Sequence, residues 1–211
     1  MAAEKSSRPL LEDGPAGAAA VLVLAHGAGA PMDSPFMATI AQGLAAAGIR
    51  VVRFEFPYMA ARRDGVRRGP DRPDVLLATW RAVVAALGGG ARLAIGGKSM
   101  GGRMASLLAD ELGARGLVCL GYPFRPPGQP QRLRTAHLAE LRTPTLIVQG
   151  TRDPLGMPDE VAGYALSPAI RIEWIADGDH SLVPRKSSGR TLEQNFAAAI
   201  AATATFVTGL P

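Results

Sequence analysis

Short apolar runs alternate along the chain with longer segments in which apolar residues recur at helical spacing. The short runs are rich in Val, Ile and Leu, which predicts strands buried on both faces. The predicted strands are residues 21–25, 49–56, 92–96, 116–120, 145–149 and 170–175. The longer segments predict helices over residues 35–47, 74–87, 102–112, 134–141, 159–165 and 191–207. This alternation indicates an α/β fold, with a mostly parallel sheet of about six strands and helices on both faces.

The organisation of the chain indicates a single domain over residues 1–211. No internal repeat or low-complexity segment divides the sequence, and 47% apolar residues are enough for a sizeable core. Residues 1–18 are predicted to be a loosely ordered or peripheral N-terminal segment. The connection between the strands at 116–120 and 145–149 is too short for a cap domain, and residues 57–73 are predicted to be a long polar loop.

Charge and cysteine content exclude some classes of protein. The net charge is +5 and most basic residues are Arg, but no aromatic residues interleave with them, so we expect no nucleic-acid partner. No run approaches the roughly 18 apolar residues of a membrane span, and residues 1–12 lack the apolar core of a secretory signal. Cys119 is the only cysteine and lies in an apolar strand, which favours a reducing, cytoplasmic location.

The most informative motif is a glycine-flanked serine between a predicted strand and a predicted helix, Gly97-Lys98-Ser99-Met100-Gly101. A G-x-S-x-G turn in this context holds its serine in a strained backbone conformation with the hydroxyl exposed, which is typical of a nucleophile. The first three residues also fit the end of a phosphate-binding loop. That loop requires a glycine at position 92, where this chain has Arg92, so the nucleotide-site interpretation is disfavoured.

Two further predicted strands end next to residues that would activate a serine. Asp153 follows the fifth predicted strand, and His180 follows the sixth. A serine hydroxyl is a weak nucleophile until a base such as imidazole takes its proton, and a carboxylate orients that imidazole. The chain order Ser99, Asp153, His180 therefore predicts a catalytic triad. Asp177 and Asp179 are interpreted as turn formers before His180.

A glycine-rich loop follows the first predicted strand and reads His26-Gly27-Ala28-Gly29-Ala30. The oxyanion that forms when a serine attacks a carbonyl needs two backbone N–H donors. We predict that Ala28 supplies one and that Met100, the residue after the nucleophile, supplies the other. This chemistry requires no metal and no organic cofactor.

Two residues near this constellation are candidates for substrate binding. Lys98 either holds a substrate carboxylate or pairs with a nearby acid, and together with the arginines of residues 62–72 it suggests anionic acyl substrates. Tyr58 follows a strand end and either lines the site or caps the core with its ring. Of the other histidines, His26 is interpreted as ordering its own loop and His137 as part of a surface helix.

The chain resembles the α/β-hydrolase superfamily over about residues 20–208, and more narrowly a group of small capless hydrolases of the dienelactone-hydrolase-like type. The segments that carry the resemblance are His26-Gly27-Ala28-Gly29, Arg53-Phe54-Glu55-Phe56-Pro57-Tyr58, residues 96–103, Gly121-Tyr122-Pro123, Gly150-Thr151-Arg152-Asp153-Pro154 and Gly178-Asp179-His180-Ser181. Dienelactone hydrolases proper carry Cys as the nucleophile, where this chain has Ser99. Many relatives have His in the position of Lys98.

These observations predict two functions from different classes. The triad predicts a serine hydrolase, of carboxylesterase or thioesterase type, that cleaves an ester or thioester of a small-molecule substrate through an acyl-enzyme. The resemblance also extends to the hydrolase-like subunit of a eukaryotic chromatin complex. The alternative is therefore a non-catalytic binding or scaffold protein with this fold. We expect no membrane partner, and the sequence leaves the oligomeric state open.

Overall fold

Seven strands form one sheet in the computed structural model, which describes residues 10–211. They are Leu11–Asp13 (β1), Val21–Ala25 (β2), Arg50–Phe54 (β3), Ala94–Lys98 (β4), Gly116–Leu120 (β5), Thr145–Gly150 (β6) and Ile170–Ile175 (β7). Their order across the sheet is β1-β3-β2-β4-β5-β6-β7. Strand β1 pairs antiparallel with β3, and the other neighbouring strands pair in parallel. The predicted α/β fold with a mostly parallel sheet is therefore confirmed.

Apolar side chains alternate across the sheet and fill a separate core on each face. On β2, Leu22 and Leu24 reach one core, while Val23 and Ala25 reach the other. Helices cover both faces, which explains why the strands read as continuous apolar runs. The first face is covered by Pro35–Ala46 (α1) and Leu192–Thr208 (α6), and the second by Pro57–Arg63 (α2), Pro73–Ala86 (α3), Met100–Ser106 (α4) and Pro158–Val161 (α5).

Strand β1 is the strand that the sequence pattern did not predict. It lies at the sheet edge, where Asp13 accepts a hydrogen bond from Arg53 of β3 at 2.7 Å. Glu12 forms a second ion pair with Arg50 of β3, also across the β1–β3 pairing. Three residues are too few for a periodic pattern to stand out. The predicted N-terminal segment thus contains an ordered edge strand, and its residues 1–9 lie outside the described part.

The prediction of one long polar loop over residues 57–73 is wrong in its first half. Helix α2 begins there with Pro57 at its first position, where a missing N–H is tolerated. Tyr58 and Met59 of this helix are buried in the core, so apolar burial stabilises a turn of helix that the polar remainder of the segment obscured.

The helix predicted over residues 134–141 is also wrong, because the structure has a single 3-10 turn at Ala136–Leu138. A helix would need the N–H of Arg142 to donate to the carbonyl of Leu138. That N–H instead donates to the carboxylate of Asp110, at 3.0 Å. The tertiary contact therefore replaces the local one, and the segment continues as loop.

The structure moves two boundaries that matter for the site. Strand β4 ends at Lys98, two residues later than predicted, so that Ser99 follows the strand directly. Helix α4 ends at Ser106, and the rest of the helix predicted to residue 112 consists of turns. The described connection between β5 and β6 contains no cap domain, as predicted. Among residues 10–211, no helix is both long enough and apolar enough to cross a bilayer.

Candidate active site

Ser99 lies in the sharp turn between β4 and α4, with φ 49° and ψ −111°. A non-glycine residue in such a conformation stores about 1–3 kcal/mol of strain. The turn packs tightly against β2, since a Cβ on Gly101 would lie 2.5 Å from the carbonyl oxygen of Ala25 and a Cβ on Gly97 would overlap the same oxygen. The N–H of Ser99 donates to the carbonyl of Leu120 at 3.0 Å. These contacts explain the glycine-serine-glycine spacing.

Ser99, His180 and Asp153 form a continuous chain of hydrogen bonds. The Oγ of Ser99 lies 2.9 Å from Nε2 of His180, and Nδ1 of His180 lies 2.7 Å from Oδ2 of Asp153. The Asp153 side chain is fully buried, whereas 28% of the His180 side chain is exposed. With Nδ1 donating to Asp153, Nε2 is free to accept the serine proton. The structure thus brings together the three residues that the sequence singled out.

Gln149, the penultimate residue of β6, holds the buried carboxylate in place. Its Nε2 donates to Oδ2 of Asp153 at 2.9 Å, and its Oε1 accepts from the N–H of Tyr122 at 2.7 Å. The N–H of Leu155 donates to the other carboxylate oxygen at 2.8 Å. Asp153 therefore has a donor on each oxygen, as a buried carboxylate requires. Sequence reasoning missed Gln149, although a polar residue in an otherwise apolar strand was a usable signal.

The loop after β2 brings the backbone of Ala28 to the same cavity as Met100 and Ser99. Within residues 10–211, the N–H groups of Ala28 and Met100 donate to no protein oxygen. The ring of His26 is buried beneath this loop, where Nδ1 donates to the carbonyl of Gly27 at 2.6 Å. The loop conformation is therefore fixed from below, and its N–H groups are left available.

Tyr58 lies behind this loop and outside the cavity wall. Its side chain is fully buried, and its hydroxyl donates to the carbonyl of Ala28 at 2.9 Å. Burial raises the pKa of the Tyr58 hydroxyl, so that it stays a hydrogen-bond donor. The sequence allowed Tyr58 either to line the site or to cap the core with its ring. The structure places the ring in the core and not in the cavity wall.

Lys98 is buried beside the His180 loop. Its Nζ donates to the carbonyl of His180 at 2.6 Å and lies 5.4 Å from the centre of the Phe36 ring. Burial lowers the pKa of Lys98 to about 8, with the charges of Asp153 and Asp179 acting in the opposite direction. Within residues 10–211, Lys98 forms no ion pair with a carboxylate. Its direct partner is instead the backbone of the histidine.

A cavity of about 550 Å³ opens at Ser99. This volume lies within the range of about 300–1,000 Å³ that is typical of small-molecule sites. Apolar side chains form much of its wall, among them Phe36, Met37, Met100 and Leu155. Of residues 57–73, the segment predicted to be a polar loop, Pro70 lines the cavity.

The arginines of residues 62–72 do not line the cavity, and all of them except the exposed Arg67 interact with neighbouring groups. Their partners are the carbonyl of Arg68 for Arg62, the carboxylates of Glu55 and Asp33 for Arg63, Asp71 for Arg68, and Asp74 for Arg72. The contribution to anion binding that the sequence suggested for this loop has no support in the described contacts.

His137 was placed on a surface helix by the sequence, and the structure corrects this. The residue is partly buried, with Nε2 at 2.8 Å from Oγ of Ser106. Burial lowers the pKa of His137 to about 4, and the charge of Arg103 lowers it further. Within residues 10–211 no carboxylate bonds its other ring nitrogen, so this second serine–histidine pair lacks the acid of a triad.

Comparison with known proteins identifies the family and supports the fold. The sequence profile of a family described as "Alpha/beta hydrolase domain" matches residues 18–208. The chain is 20% identical to dienelactone hydrolase from Anabaena variabilis, with a TM-score of 0.73 over 95% of this chain and 91% of that chain. It is also 20% identical to a serine hydrolase without lid from Xanthomonas campestris, with a TM-score of 0.68 over 96% of this chain and 90% of that chain.

A third solved structure, monoacylglycerol lipase from Paleococcus ferrophilus, is 14% identical, with a TM-score of 0.69 over 95% of this chain and 99% of that chain. At such identities these likenesses support the fold alone, and they agree with the observed sheet. The family match, by contrast, covers nearly the whole described chain and confirms the resemblance to the α/β-hydrolase superfamily. The chain belongs to the alpha/beta hydrolase domain family.

Proposed function

We propose that this chain is a serine hydrolase that cleaves an ester or thioester of a small acyl substrate. Membership of the family supports a hydrolase. The observation that carries the proposal is the unbroken hydrogen-bond chain from Ser99 through His180 to the buried Asp153, which opens into a cavity of small-molecule size. Such an arrangement activates a hydroxyl that is otherwise a weak nucleophile.

In the first half of the reaction, the Oγ of Ser99 attacks the substrate carbonyl while Nε2 of His180 takes its proton. Asp153 stabilises the resulting imidazolium through the bond from Nδ1. The carbonyl oxygen becomes an oxyanion, which accepts hydrogen bonds from the N–H groups of Ala28 and Met100. His180 then gives its proton to the leaving alcohol or thiol, the bond to that group breaks, and the acyl group stays on Ser99.

In the second half, a water molecule attacks the acyl-enzyme and His180 takes one of its protons. The same two N–H groups bind the second oxyanion. When the bond to Ser99 breaks, His180 returns the proton to its Oγ, and the carboxylic acid leaves. The free enzyme is regenerated, and no metal or organic cofactor takes part in these steps.

The Tyr58→Phe variant tests the positioning of the oxyanion loop. It removes the donor to the carbonyl of Ala28 while leaving the buried ring in place. We expect kcat to fall roughly 3- to 10-fold and KM to change little, because one hydrogen bond of about 1 kcal/mol that orients a backbone donor is lost. Steady-state kinetics on a neutral ester measures both constants.

Tyr164→Phe is the matched control, since no described group bonds the hydroxyl of that half-buried tyrosine. It should behave as the wild type. Equal kcat values for the wild type and Tyr58→Phe would contradict a positioning role for Tyr58.

The titration of Lys98 gives a prediction about pH and stability. Its pKa is about 8 in the folded chain and near its usual 10.5 in the unfolded chain. Between these values the unfolded chain binds more protons, so the free energy of unfolding rises with pH across that window. The free energy of unfolding of the wild type should therefore rise relative to that of Lys98→Met by up to about 3 kcal/mol from pH 7 to pH 10.

Urea unfolding of both proteins at the two pH values measures this difference. Lys186→Met, which removes an exposed lysine, is the matched control and should show no such change. A difference between Lys98→Met and the wild type that is independent of pH would contradict the burial argument.

A panel of short-chain esters and thioesters, measured with the wild type and with His180→Gln, tests the proposed reaction. We expect hydrolysis of at least one ester or thioester and its near-complete loss in the variant, because glutamine cannot accept the serine proton. Hydrolysis that is equal in the two proteins, or absent with every member of the panel, would contradict the proposal.

A further inference from the structure

Two arginines in the cavity wall have no partner within residues 10–211. Arg103 lies on α4, one turn after Ser99, and Arg134 lies in the connection between β5 and β6. Neither guanidinium group forms an ion pair or hydrogen bond in the described structure, and the Nε of Arg103 is fully buried. Other arginines without a described partner are exposed to solvent, namely Arg67, Arg92 and Arg132.

The described cavity wall is strongly asymmetric in charge. It contains the cationic side chains of Lys98, Arg103 and Arg134, and no Asp or Glu among the described lining residues. Lys98 already donates to the carbonyl of His180. The two arginines are therefore the cations whose hydrogen-bonding capacity is unused.

The arginines also lie close enough to affect each other. Burial lowers the pKa of Arg134, and the charge of Arg103 lowers it further. Two cations that are partly removed from water and lack a counter-ion repel each other, and a bound anion relieves that repulsion.

The main chain around both arginines is fixed by buried side chains. The hydroxyl of Ser106 donates to the carbonyl of Arg103 at 2.8 Å, and the hydroxyl of Tyr122 donates to the carbonyl of Arg134 at 2.9 Å. His137 joins the two supports, because its Nε2 lies 2.8 Å from Oγ of Ser106 and 3.5 Å from the Tyr122 hydroxyl. The two guanidinium groups are thus carried by an ordered scaffold.

We propose that Arg103 and Arg134 form an oxyanion-binding subsite for a carboxylate or phosphate of the substrate. A guanidinium presents several N–H donors in a plane that matches such groups, often with two parallel bonds. This inference rests on the proposed hydrolase function and deepens it: the preferred ester or thioester carries a negative charge. The sequence suggested Lys98 and the arginines of residues 62–72 as the groups that bind an anion. We assign this role instead to Arg103 and Arg134.

The test compares para-nitrophenyl hydrogen glutarate with its neutral methyl ester, which differ in one charge. The readout is the ratio of kcat/KM for the charged substrate to kcat/KM for the neutral one. Arg103→Gln and Arg134→Gln should each lower this ratio by roughly 10-fold or more, as expected for the loss of charge-assisted hydrogen bonds. A third substrate, para-nitrophenyl phosphonobutyrate, distinguishes a phosphate-type group from a carboxylate. If its ratio in the wild type is higher than that of the glutarate, the subsite prefers a phosphate-type group; if it is lower, the subsite prefers a carboxylate.

Arg132→Gln is the matched control, because it removes the same charge from an exposed arginine two residues from Arg134. Its ratio should equal that of the wild type. An unchanged ratio in both cavity variants, or an equal fall in Arg132→Gln, would overturn the subsite. If urea titrations show that either glutamine variant does not fold, the Arg→Lys variant at that position takes its place. Lysine keeps the charge but not the planar set of donors, so the ratio should fall measurably but by less than the roughly 10-fold expected for Arg→Gln.

Calorimetry separates failure of the subsite from failure of the hydrolase. Glutarate and inorganic phosphate are titrated into Ser99→Ala, which cannot form an acyl-enzyme, and then into Ser99→Ala with both arginines changed to glutamine. If Ser99→Ala binds either anion and the two arginine substitutions abolish that binding, the subsite is supported even if no ester is hydrolysed. Absence of binding to Ser99→Ala by both anions would overturn it even if esters are hydrolysed.

Discussion

Replacing Ser99 with alanine is expected to lower kcat/KM for ester hydrolysis by at least about 10,000-fold. The substitution removes the only atom that the proposed reaction bonds to the acyl group, while the oxyanion donors of Ala28 and Met100 and the cavity remain. Alanine adopts the positive φ of this turn no more readily than serine, so the free energy of unfolding should change by less than about 1 kcal/mol. Kinetics and urea unfolding, measured together, separate lost chemistry from lost fold.

The Ser106→Ala variant makes this comparison specific. Ser106 is a buried serine at hydrogen-bonding distance from His137. The two residues therefore resemble the serine and the base of a triad. Without an acid behind His137, the pair has no means of stabilising an imidazolium. Ser106→Ala should therefore keep far more activity than Ser99→Ala. Activity that survives in Ser99→Ala would mean that another group attacks the substrate.

The Asp153→Asn variant is expected to lower kcat/KM by roughly 1,000- to 10,000-fold. An asparagine that offers its NH₂ group to Nδ1 of His180 would favour the tautomer with the proton on Nε2, which cannot accept the serine proton. The same NH₂ group would face the donor of Gln149, which now bonds the same carboxylate oxygen as His180. We also expect a loss of about 1–3 kcal/mol in the free energy of unfolding.

The measurements are kcat/KM and urea unfolding, with Asp179→Asn as the matched control. Asp179 lies one residue before His180 and accepts hydrogen bonds from the N–H groups of Ser181 and Val183 through one oxygen. Asparagine preserves that acceptor, so the control should keep most of the activity. A fall of similar size in both variants would indicate that the loop, rather than the buried carboxylate, controls the rate.

The sheet, and the convergence of Ser99, Asp153 and His180 at one of its edges, could be predicted because both depend on local patterns. Strands covered on both faces read as continuous apolar runs, and residues 116–120 and 170–175 match the observed β5 and β7. The parallel order of strands then brings their carboxyl ends to one edge, where Ser99, Asp153 and His180 follow them. The pattern failed where a segment is short or where tertiary bonds replace local ones, as in β1 and in the turn at Ala136–Leu138.

The roles of the supporting residues could not be predicted, since they depend on side-chain direction and on partners far away in sequence. Tyr58 contacts Ala28 from behind the loop, which the spacing of the two residues does not reveal. Arg103 and Arg134 become notable because they lie in the cavity wall without a bonding partner, whereas the other described arginines either have a partner or are exposed to solvent. Charge pairing of this kind is a property of the folded surface and has no counterpart in composition.

The central claim is that Ser99 is a nucleophile activated by His180, and labelling with a fluorophosphonate probe tests it most directly. The probe forms a bond with an activated serine, which mass spectrometry of the intact chain and of its peptides locates. We predict one label per chain on the wild type and on Ser106→Ala, located at Ser99, with no label on Ser99→Ala and a strong reduction on His180→Gln. An unlabelled wild type, or a label that persists on Ser99→Ala, would contradict the claim.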